Sequence, residues 1–112
     1  MSTINKEEIN GITNIISNEF SVSGINAVIS AEDLETLEQL REYLTNKISE
    51  LMDNNFDKLI NTLYRIDVNE DKLQLAFMDK NKEKLPESIA NLIIERQLQK
   101  IEMRKKYKEG KL

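Results

Sequence analysis

The chain contains no cysteine, no histidine and no tryptophan, one proline and three glycines. Without cysteine there is no disulfide, no thiolate nucleophile and no thiolate ligand for zinc or haem. Without histidine the commonest general base and metal ligand is missing. No serine stands on a glycine-flanked elbow, and no glycine-rich loop is present to cradle a phosphate. Catalysis by carboxylates alone would need two of them held together, and nothing in the sequence pairs two. No catalytic residue, metal ligand or cofactor is therefore assigned. Long apolar stretches are missing as well. The longest run, Leu75-Ala76-Phe77-Met78, is four residues, and Ala27-Val28-Ile29 and Leu92-Ile93-Ile94 are three each, far too short for a signal-peptide core or a spanning helix. With no disulfide to form, the expected location is the cytoplasm.

What the sequence does contain is one domain's worth of chain. It has 112 residues, 39% hydrophobic and 32% charged, and a chain of this size buries about two thirds of its unfolded surface. The net charge of -4 gives the whole molecule no attraction to nucleic acid or anionic lipid. The charge is unevenly spread: residues 1–95 carry net -9, and residues 96–112 carry net +5.

Periodicity predicts helices throughout. Asn5 and Glu8 form a capping-box pair, flanked by Ile4 and Ile9 at the staple positions, and open a helix over about 6–19. Residues 20–29 read as a connector or a short extended stretch. Ser30 and Asp33 supply the next cap, and Leu34, Leu37, Leu40, Leu44, Ile48 and Leu51 make one face of a long helix over about 31–53. Asn54 is placed to cap a helix over 55–66 that buries Phe56, Leu59, Ile60, Leu63 and Ile66. Asp67 with Glu70 caps a short helix over 68–78 burying Leu73, Ala76 and Phe77. After a polar loop at 79–84, Pro86 suits the first turn of a last helix ending near Glu109, before Gly110. The fold class is all-α: a bundle-like domain of four or five helices, two of them long. Each long helix would extend about 35 Å against a domain diameter of about 26 Å. Their projecting apolar stripes make a homodimer the expected state.

Several constellations point to chemistry and then fail. Asp67 to Asp71 and Asp53 to Asp57 alternate oxygen ligands as a calcium loop does. The required glycine is Lys72 or Lys58, however, and the bidentate glutamate is Met78 or Tyr64. A helix-turn-helix over 55–78 would present Glu70 and Asp71 to DNA. The basic end of the last helix, Arg104, Lys105, Lys106 and Lys108 with Tyr107, is the candidate phosphate-binding patch. Helix-dipole complementarity and the seven acids of the 31–53 helix account for the same cations without a ligand. Arg96 continues the apolar ridge Ile89, Leu92, Ile93, so its guanidinium should sit at the core edge with a carboxylate from Asp67, Glu95 or Glu70. Tyr64, Arg65, Asp67, Glu95 and Arg96 are the candidate polar packing or partner site.

Leu63-Tyr64-Arg65-Ile66-Asp67-Val68 and Ile93-Ile94-Glu95-Arg96-Gln97-Leu98-Gln99-Lys100 resemble segments of short bacterial helical proteins that have no assigned activity. The likeness spans about residues 40–106. It implies a core domain over 31–112 and an appended helix and connector over 1–30. The chain reads as a protein-protein interaction or structural module with an unknown protein partner and no membrane. The alternative is a nucleic-acid or ribosome-associated accessory protein using the basic tail.

Overall fold

Asn5 accepts a hydrogen bond from the Glu8 amide at 2.8 Å, and Glu8 accepts one from the Asn5 amide at 3.4 Å. This reciprocal cap opens the first helix, α1, Lys6–Val22. The computed structural model describes residues 5–25 and 36–108. It contains four further α-helices: α2 Leu37–Asn54, α3 Phe56–Ile66, α4 Glu70–Met78 and α5 Leu85–Lys108. A 3-10 turn, Lys82–Lys84, precedes α5. The domain is all-α and bundle-like, with no strand among the described residues.

Helix ends follow local chemistry, and four differ from expectation. The first helix runs on to Val22 and closes with Gly24 at φ 82°, where the Ile25 amide reaches back to the Phe20 carbonyl at 2.9 Å. This is a left-handed C-terminal closure that favours glycine. Asn55, not Asn54, joins α2 to α3. It ends one helix and begins the next, and its side chain makes no cap hydrogen bond. Asp67 does not cap α4; it terminates α3 in the left-handed region at φ 65°. The cap of α4 is Asn69, which accepts from the Lys72 amide at 2.9 Å. The helix expected from about residue 31 begins only at Leu37: Thr36, in extended backbone, closes a capping box with Gln39, so α2 has 18 residues. The expected Ile4 staple, the Ser30 and Asp33 caps, Leu34 and the Gly110 stop lie outside the described residues.

The core is one cluster. The long helices α2 and α5 lie against each other, α3 packs on α2 and α1, and α4 packs on α5. Leu40, Leu44, Ile48, Leu59, Ile66, Ile89 and Ile93 have no measurable exposure. Burying each such side chain contributes about 1.5–3 kcal/mol. Ile12, Ile16 and Phe20 of α1 belong to the same cluster, so the first helix shares the domain core.

The α2 stripe is covered by its own chain, since Leu40, Leu44, Ile48 and Leu51 are all buried. Its apolar face therefore needs no second copy. The end of α5 is different. At 24 residues, this helix extends about 36 Å in a molecule of 43 × 31 × 25 Å. Its residues Glu102 to Tyr107 are all exposed. Among the described residues, the exposed apolar side chains beyond the core stand at the end of α5, and the α2 stripe is covered from Leu40 to Leu51.

Candidate functional site

The polar residues singled out around Arg96 separate into three ion pairs. Arg96 Nη2 meets Asp67 Oδ2 at 3.2 Å, while its Nη1 donates to Gln99 Oε1 at 3.3 Å. Glu95 pairs instead with Lys72, Nζ to Oε1 2.6 Å. Arg65 reaches Glu19 on α1 at 3.1 Å. Tyr64 belongs to none of the three; it is 68% exposed. These pairs pin α5 to the end of α3, α5 to α4, and α3 to α1. Lys100 adds a hydrogen bond to the Ile66 carbonyl at 3.3 Å. Each pair is at least partly solvated, so each contributes less than about 1 kcal/mol. Their role is to fix how the helices sit.

What they frame is an apolar groove between α3 and α4. Ile60, Leu63, Tyr64, Val68, Leu73, Phe77 and Met78 line it, with Asp67, Glu70 and Gln74 at its polar edge, and its volume is about 400 Å³. The groove exists because α4 is short and peripheral. Leu73, Ala76 and Phe77 were expected to be buried; they are only half-buried, and no residue of α4 is fully buried. Phe56, also expected inside, stays 43% exposed and meets Phe77 edge to face at 6.1 Å. A nine-residue helix following directly on α3 leans mainly on α5, with the Phe56–Phe77 contact tying it to α3. Periodicity shows which face of a helix is apolar; it does not show whether a neighbour covers that face. Single exposed apolar residues are ordinary, but Tyr64 and Met78, 71% exposed, share one concave surface.

The basic tail is partly engaged within the fold. Lys105 pairs with Glu8 of α1 at 3.0 Å, and Arg104 Nε donates to the Lys100 carbonyl at 3.5 Å. The α2 acids Glu38 and Glu50 pair with Arg41 and Lys47 of their own helix. The hydrogen bond from Lys105, with a second from the Asn5 amide, holds the Glu8 carboxyl below its ordinary pKa. Lys106 and Tyr107 are exposed, and Lys108 is the last residue of α5.

A second, smaller hollow of about 260 Å³ lies between α1 and α5, lined by Gly11, Ile12, Ile15, Gln97 and Ile101, with Glu8, Arg104 and Lys105 at its charged end. Gln97 has no measurable exposure, and neither end of its amide finds a hydrogen-bond partner among the described residues. Sequence reading missed Gln97 because glutamine on a helix is ordinarily solvated. Its place between Ile93 and Ile101 on the apolar ridge was the available signal.

Among the described residues, no group of three or more acidic side chains is arranged to hold a metal ion, and no helix is long and apolar enough to cross a membrane. Comparison with protein-family models, with curated proteins and with solved structures finds no match to this chain.

Proposed function

We propose that this chain is a non-catalytic interaction module of the cytoplasm whose α3–α4 groove receives one face of an amphipathic helix. The observation that carries this reading is α4 itself, which has no fully buried residue yet turns Leu73, Phe77 and Met78 toward the groove. Isolated helices shorter than about 12–15 residues are marginal in water. A partner seated on α4 would therefore complete its burial and stabilise it. Helix-in-groove recognition uses apolar anchors at i, i+3 or i+4 and i+7. A groove of about 400 Å³ has room for two or three such side chains. Asp67 and Glu70 at one end select a partner with a basic residue beside the anchors.

The test is selection of displayed helical peptides on the immobilised full-length chain, followed by NMR mapping of the selected peptide. Enrichment of apolar pairs at helical spacing next to Lys or Arg, with shifts confined to α3 and α4, is the expected result. Peptides that bind elsewhere, or no enrichment, would overturn the reading. The nucleic-acid alternative has less support, because Lys105 is held by Glu8 and Arg104 turns to a backbone carbonyl. A mobility shift with generic RNA or DNA that survives about 0.15 M salt would restore it.

A further inference from the structure

The occupant of the groove can be named from the chain itself. Arg96, Lys100, Met103 and Tyr107 follow one another at helical spacing along a single stripe of α5. The first two anchor that stripe to the end of α3, through the Asp67 carboxylate and the Ile66 carbonyl. Beyond Lys100 the same stripe turns apolar and stands in solvent: Met103 is 56% and Tyr107 75% exposed. At 100° per residue, Arg104 and Lys106 flank this pair by about 80° on either side. An exposed apolar pair edged by cations is thus complementary in chemistry to an apolar groove edged by Asp67 and Glu70.

Within one molecule the two do not meet: Met103 and Tyr107 stay exposed and do not line the groove, and Lys105 between them is held to Glu8 of α1. A two-fold arrangement in which each tail sits in the partner's groove would close on itself.

We infer that the protein self-associates as a tail-exchanged dimer, with the Met103 and Tyr107 stripe of each copy held in the α3–α4 groove of the other and Lys106 against Glu70. This rests on the docking reading of the groove. The test is sedimentation of the full chain over a wide concentration range, with a tail variant (Met103→Asp with Tyr107→Asp) and a groove variant (Met78→Asp). All three residues are exposed, so both variants should keep the wild-type helical circular dichroism. The wild type is expected to dimerise, and each variant to weaken dimerisation at least about tenfold. An equimolar mixture of the two variants should regain association, because the intact tail of one meets the intact groove of the other. Three results would overturn the inference: a wild type that stays monomeric at every concentration, a tail variant that dimerises normally, or a mixture that fails to reassociate. If any of these occurs while displayed peptides still map to α3 and α4, the docking reading stands and only the identity of the occupant falls.

Discussion

Arg96 binds the one non-glycine residue among those described that adopts a left-handed backbone: its Nη2 lies 3.2 Å from Oδ2 of Asp67, whose φ is 65°. The pair ties α5 to the residue at which α3 stops. It therefore sits where the direction of α4, and with it the groove, is set.

Two opposing contributions act at Asp67, and substitution separates them. A left-handed conformation costs an L-residue with a Cβ about 1–2 kcal/mol, with aspartate among the tolerant types. A solvated ion pair contributes less than about 1 kcal/mol. Asp67→Gly loses the pair and relieves the backbone, so its stability should stay within about 1 kcal/mol of wild type. Asp67→Ala loses the pair and keeps the strain, so it should be the less stable of the two by about 1 kcal/mol. Urea denaturation of both variants checks the order; Ala at or above Gly would contradict it.

Gln97 predicts a gain. A buried amide with no partner costs about 1–3 kcal/mol, and Gln97 has no measurable exposure and no partner among the described residues. Gln97→Met, of similar length, should raise the denaturation midpoint, by about 1–2 kcal/mol in stability. An unchanged or lowered midpoint would mean that the amide is satisfied in solution.

Acid should loosen α1 from α5. The Glu8 carboxyl is held below its ordinary pKa by Lys105, and then by the Asn5 amide. A lowered folded-state pKa contributes stability that is present above the unfolded value and lost as pH falls through the folded one. Wild type should therefore exceed Glu8→Gln in stability near neutral pH, and the gap should close on acidification. Thermal melts of both proteins from about pH 7 down to about pH 2 measure it, and a gap that persists in acid would rule this account out.

Alkali should act through Tyr43. Its phenol is pushed above the ordinary value, first by burial and then by the nearby Glu50 carboxylate. A raised folded-state pKa here means that the fold favours the neutral phenol. Nothing is lost below the unfolded value of about 10, and stability declines as pH rises beyond it. Tyr43→Phe should then lose less stability than wild type between about pH 9 and about pH 12. Equal losses in the two proteins would assign the alkaline response to other groups.

The pattern of Leu40, Leu44, Ile48 and Leu51, of Leu59, Leu63 and Ile66, and of Ile89, Leu92 and Ile93 was legible along the chain. All of these residues are buried. The Asn5 and Glu8 cap was legible for the same reason: both signals are local, carried by residues three or four apart on a helix. Cap assignments slipped by one or two residues at Asn55 and Asn69, where several polar residues in a row could each serve.

Tertiary structure decided whatever depends on a neighbour. Periodicity shows that Leu73 and Phe77 share a face; only the packing of α4, mainly against α5, leaves that face half open and makes a groove. Composition shows a basic tail beside an acidic body. Only the approach of α1 gives Lys105 to Glu8, and only the left-handed end of α3 gives Arg96 to Asp67. Which side of each helix is apolar is a property of residues within a few positions of one another. Which sides meet depends on contacts between residues tens of positions apart, and no short-range pattern encodes them.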